Sequence, residues 1–177
     1  MFPMEENSGP RRRIMFLGDR SFEFENVSVE SLGHRGVSIV ERGLRLRRAV
    51  VVYGHDVHWF VTRLRMASQD PGNLQFLDRL SGGNRTLAVW VCGEKSSGSS
   101  IQLVVTIGKR REQIFIPMSD FGDGWDRLAL VVEGFWVENG GPMYGKATSK
   151  LDPLQLATRG GIGGATTVRC TTEIDWF

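Results

Sequence analysis

His55 and His58 flank Asp56 at a spacing of three, which on a helix lets two imidazoles meet one metal ion. A third ligand is missing from the pattern. His34 falls in a turn ahead of a strand and Cys92 on a distant strand, so the two histidines read as capping or partly exposed helix residues. Cys92 and His58 have the residue types of a nucleophile and its base, but no spacing brings them together, and a strand cysteine is ordinarily a small apolar filler. Asp120, Asp123 and Asp126 form a carboxylate cluster. At the start of a helix, capping and the helix dipole account for them better than a magnesium site does. Gly160–Gly164 lacks the Lys-Ser/Thr and the preceding strand of a phosphate loop. The chain therefore reads as non-enzymatic, with no cofactor and no metal.

What remains is arginine and aromatic chemistry. Arginine outnumbers lysine 18 to 4, and its planar, always-charged fork suits phosphate and can stack on a base. The net charge of +2 conceals an uneven distribution. Residues 34–67 carry seven arginines against Glu41 and Asp56, and residues 84–119 carry five basic residues against Glu94 and Glu112. Residues 120–138 reverse the sign, with five acids against Arg127.

The elements that must position these groups follow from length and periodicity. At 177 residues, 41% hydrophobic and 24% charged, the chain has the proportions of one folded domain with tails. No apolar run approaches the roughly 18 residues of a membrane span, and no signal-peptide core follows Met1. Cys92 and Cys170 are too few for a disulfide framework or a four-thiolate zinc site, and a reducing compartment is expected. Residues 1–20 read as a basic tail with a short ordered approach near Ile14–Leu17. Its run Arg11-Arg12-Arg13 suggests a nuclear or cytoplasmic location. Residues 138–177 read as a Gly-rich flexible tail, with one Arg-Gly-Gly triplet at 159–161 and an optional strand over 166–177.

Between the tails, over 20–137, strands are expected at 21–30, with a bulge where alternation slips at Asn26, and at 36–41 and 44–53. Val57, Phe60, Val61 and Leu64 then recur at helical spacing until Asp70-Pro71-Gly72. Further strands follow at 74–80, 86–94, 101–109 and 112–118, with a tight turn at Gly108–Arg111. A last helix starts at Asp123 or Gly124, with Leu128, Val131, Val132 and Phe135 as its stripe and Trp125 locking its start. The fold class is α+β: two strands-then-helix halves, a curved antiparallel sheet with one helix-covered face and one open face.

Side chains alternate between faces along a strand. Arg45, Arg47 and Tyr53 fall opposite Leu46, Val50 and Val52, while Trp90 and Phe115 fall opposite Leu87, Val89, Ile114 and Ile116. Arg48 lands on the apolar side, a conflict resolved by a strand starting near Ala49 or by a bulge. The open face thus combines Arg45 and Arg47 with Tyr53, Trp90 and Phe115, and Lys109, Arg110 and Arg111 lie at its rim. Rings interleaved with arginine suit single-stranded nucleic acid, because bases stack on the rings while cations follow the backbone. The same face also suits contact with another protein or a second copy of the chain. On residue types alone both remain open.

The segments 36–67, "RTLAVWVCGE", "SIQLVVTIGKRREQIFIPMS" and "GWDRLALVVEGF" resemble the plant Pur-alpha/Whirly-like group. Glu41-Arg42, Trp59, Ile114-Phe115-Ile116-Pro117 and Gly124-Trp125 carry the resemblance, which spans about 20–137. It implies strands-then-helix halves forming curved sheets that bind single-stranded DNA or RNA; no membrane partner is expected, since no apolar run is long enough. The alternative partner is a second copy in a homodimer held by the same face. The chain shows three clear strands before its first helix where the group has four. It also lacks the lysine-glycine-lysine-alanine motif of Whirly proteins, so their tetramer is not implied.

Overall fold

A computed structural model describes residues 12–29, 34–70, 77–94 and 98–142. Arg11, Cys170, the Arg-Gly-Gly triplet and the optional strand at 166–177 lie outside the described residues. Within them each half builds its own four-stranded antiparallel sheet, in simple up-and-down order, followed by one helix. The first sheet contains β1 (Arg12–Leu17), β2 (Arg20–Val29), β3 (His34–Gly43) and β4 (Leu46–Tyr53), and α1 (His55–Gln69) follows. The second contains β5 (Leu77–Gly82), β6 (Arg85–Glu94), β7 (Gly98–Ile107) and β8 (Arg110–Pro117), followed by α2 (Gly124–Glu138). The fold is α+β.

β1 is the fourth strand of the first half, and it occupies residues whose sequence suggested only an ordered approach. Its run Ile-Met-Phe-Leu is apolar throughout, so no alternation marks it as a strand. Pairing with β2 sorts it: Met15 and Leu17 are buried while Ile14 and Phe16 are exposed. The bulge expected at Asn26 is absent, because β2 pairs with β3 without interruption from Ser21 to Val29. The alternation slips there because Val27 lies on the outer face. Three of the four two-residue hairpin loops among the described residues begin with a glycine at positive φ, namely Gly18, Gly83 and Gly108, as two-residue loops between twisted strands prefer. The last of these presents Lys109 at a hairpin tip.

The inner faces of both sheets and the apolar stripes of both helices form one core. Val57, Phe60, Val61 and Leu64 of α1 are buried, as are Leu128, Val132 and Phe135 of α2. The Arg65–Glu133 ion pair links the two helices, and Phe24 meets Phe135 at 6.3 Å between ring centroids. Trp125 is fully buried and donates its indole N–H to the Ile116 carbonyl at 2.8 Å, which ties the start of α2 to β8. The start of α2 differs from the expected capping. Asp123 makes no side-chain cap and instead accepts the Ser119 hydroxyl at 2.7 Å.

Glu41 joins the two sheets. It sits on the core side of β3 with no exposed surface. One carboxylate oxygen accepts from the Arg20 guanidinium at 2.7 Å, and the other accepts the Phe115 backbone N–H of β8 at 2.9 Å. Arg48 completes the group at 3.7 Å. This accounts for the conflict over Arg48. β4 starts at Leu46 and runs without a bulge, and Arg48 lies directly opposite Glu41 in its register. The arginine is on the apolar side because its counter-charge is buried there. Breaking such a group leaves buried partners unpaired. Glu41→Gln is expected to cost about 2–3 kcal/mol, below the 3–5 of a fully buried pair because Arg20 and Arg48 retain some water contact. Urea unfolding would show it as a lower midpoint at unchanged slope.

Candidate nucleic-acid interface

The residues singled out in the sequence fall on two sheets rather than one continuous face. Arg45 lies in the exposed β3–β4 turn, ahead of β4, because the strand starts at Leu46. Arg47 and Tyr53 lie on the outer face of the first sheet, Arg47 opposite Arg42 and Tyr53 opposite Gly36. Trp90 and Phe115 share one row of the outer face of the second sheet, with Gln102 between them. Lys109 occupies the β7–β8 loop and Arg111 the outer face opposite Thr106. Arg110 has the opposite parity and pairs with Glu112 at 2.5 Å.

Two of the three rings are already engaged by the chain's own arginines. Arg48 lies 4.5 Å from the centroid of Phe115, and Arg85 lies 5.2 Å from that of Tyr53. Each contact joins β4 to the second sheet, one near the start of the strand and one at its end. Trp90 is half-buried. The middle of its face is closed rather than open, since Gln102 and Val104 are both buried. Gln102 donates to Gln113 at 2.7 Å across the strands.

The charged groups divide by role. Glu23, on the outer face of the first sheet, is buried between Arg12 at 2.7 Å and Arg42 at 3.2 Å. Burial pushes its carboxyl up, but hydrogen bonds and charge from Arg12 and Arg42 outweigh that and hold it below the usual carboxylate range. Asp56, in the first turn of α1, pairs with Arg85. There burial prevails over the charges of Arg85 and His55, and the carboxyl is raised. With its carboxylate turned to Arg85, Asp56 serves the junction between α1 and β6. By contrast, Arg45, Arg47, Lys109 and Arg111 make no ion pair or side-chain hydrogen bond among the described residues.

Sequence reasoning missed two groups on the first sheet. Phe16 is 68% exposed and Ile14 47% exposed, both on its outer face. Arg12 and Arg42 flank Glu23 on that face. The only signal for the two apolar residues was the short run at 14–17, which carries no alternation until its partner strand is known.

No protein family's sequence signature and no curated protein matches the chain. Among solved structures it is similar to the crystal structure of WHY3 from Arabidopsis thaliana, with 16% identity and a TM-score of 0.37 over 72% of this chain and 86% of that one. No helix among the described residues is long and apolar enough to cross a membrane.

The Glu23 carboxyl sets a pH dependence. Its native pKa lies below the unfolded value, so its stabilising contribution is complete above the ordinary carboxylate value of 4.5. That contribution is lost as pH falls through the lowered native value. Thermal melts between pH 7 and pH 3 should therefore show a smaller acid-induced drop in Tm for Glu23→Gln than for the native chain.

Proposed function

We propose that this protein binds single-stranded nucleic acid, as a binding protein rather than an enzyme. The observation that carries the reading is the contrast among its cations. Arg12, Arg13, Arg20, Arg42, Arg48, Arg65, Arg85 and Arg110 are matched to carboxylates. Arg45, Arg47, Lys109 and Arg111 are exposed and unmatched among the described residues. Arg45 and Lys109 lie in hairpin loops, and Arg47 and Arg111 are each the second residue of the strand that follows, where a phosphate backbone can approach without displacing a side chain from the core. Phosphate neutralisation by such groups supplies affinity, and the half-exposed Trp90 supplies a surface for an unpaired base. The segments of sequence that resemble the Pur-alpha/Whirly-like group imply the same ligand class. The sheet-and-helix architecture is compatible with many functions and does not by itself select one.

Fluorescence anisotropy with labelled single-stranded and duplex oligonucleotides at two salt concentrations tests the reading. Binding is expected to favour single strands and to persist at moderate salt. Arg45→Ala combined with Arg47→Ala should weaken binding at every sequence. It should also flatten the slope of log K against log salt by roughly 1.4, about 0.7 for each single-strand phosphate contact removed. Weak binding that ignores strandedness and vanishes with salt would leave only a basic surface, and contact with another protein or a second copy would then be the better account.

A further inference from the structure

The outer face of the first sheet places an exposed ring and two arginines in one line. Register pairs Phe16 with Ser21, Ser21 with Arg42 and Arg42 with Arg47, so these four residues form a single row running across all four strands. At about 4.8 Å between strands, the row spans roughly 14 Å from Phe16 to Arg47. The next row reads Ile14, Glu23, Val40 and Ala49. Between the ring and the arginines the row has only Ser21, so nothing bulky rises from the sheet there.

Resting on the proposal of single-strand binding, we infer that this row is its principal contact: Phe16 stacks an unpaired base, and Arg42 and Arg47 hold the phosphates that follow it. Phe16 suits this role because it is 68% exposed and, among the described residues, has no arginine over its ring, unlike Tyr53 and Phe115. Arg47 makes no ion pair among the described residues. Arg42 commits one N–H to Glu23 at 3.2 Å, and a guanidinium has five donors. Arg45 adds a further charge in the adjoining turn. Among the described residues the acids on this side are Glu23, already shared between Arg12 and Arg42, Glu25 toward the opposite end of the sheet, and Asp19 in the β1–β2 turn. The row itself contains no acid. Charge complementarity therefore selects an anionic occupant. The exposed large apolar groups here are Phe16 and Ile14 on one edge strand and Leu44 in the β3–β4 turn across the sheet; with a serine and arginines between them, they fall short of the continuous apolar centre a protein interface has.

Phe16→Ala, Phe16→Tyr, Trp90→Ala and Arg47→Ala test this in the full chain by the same anisotropy titration, with thermal melting as the folding control. Phe16→Ala should melt with the native chain, because an exposed side chain contributes little to stability. It should weaken single-strand binding about 5- to 100-fold, the loss of one stacked base. Its salt slope should be unchanged, since stacking releases no counterions, and Phe16→Tyr should retain native affinity. Arg47→Ala should instead reduce the slope by about 0.7. If Phe16→Ala binds as tightly as the native chain while Trp90→Ala is weakened, the inference is overturned and the contact lies on the second sheet, with single-strand binding intact. If the native chain shows no preference for single strands, the function itself fails. A native dimer in sedimentation that Phe16→Ala dissociates, with oligonucleotide affinity unchanged, would assign the row to a second copy and also overturn the inference.

Discussion

The buried carboxylate of Glu41 is the charged link at the junction of the two sheets. It takes a backbone N–H from β8, an edge strand, and an arginine from the turn end of the first sheet. An edge strand exposes unpaired backbone groups and invites wrong partners. Here one such N–H is given a charged acceptor inside the protein. The carboxylate in turn needs cations, and it draws Arg20 and Arg48 inward to supply them. Arg48 then lies over Phe115, so one buried acid orders a strand edge, two arginines and a ring.

The same requirement divides the arginines of the chain into two populations. Those facing a carboxylate or a ring of their own protein are structural: Arg48 on Glu41 and Phe115, Arg85 on Asp56 and Tyr53, and Arg65 on Glu133 between the helices. Composition alone cannot distinguish these from cations left for a partner, because guanidinium chemistry is identical in both settings. The available ones are recognised by the absence of an internal counter-charge, and they concentrate at hairpin ends and on the outer face of the first sheet. An anionic ligand meeting them would displace no internal pair, so its binding need not loosen the fold.

The two halves are alike in topology and unlike in surface. The middle of the outer face is buried in both, at Gln102 and Val104 in the second sheet and at Glu23 and Val40 in the first. In the first, exposed Phe16 and Ile14 lie on the edge strand, and the arginines lie across the sheet from them. Aromatic residues of the second sheet look similar to those of the first when counted along the chain. Their availability differs because neighbouring side chains cover them to different degrees.

The order of strands and helices was legible in the sequence, since periods of two and of 3.6 come from local geometry and burial of one face. The stripes of α1 and α2, the inner rows of β6, β7 and β8 and the tight turn at Gly108 all followed from it. β1 escaped because four successive apolar residues carry no period, and only pairing with β2 decides that Phe16 faces out. Arg48 looked misplaced because its partner, Glu41, is one strand away in space and seven residues away in sequence. The combination of rings and arginines into one face failed for the same reason: alternation tells which residues share a face of one strand, not which sheet the strand joins. Local periodicity determined the elements and their faces. Strand pairing and a buried counter-charge, both nonlocal, decided which arginines and rings were left for a partner.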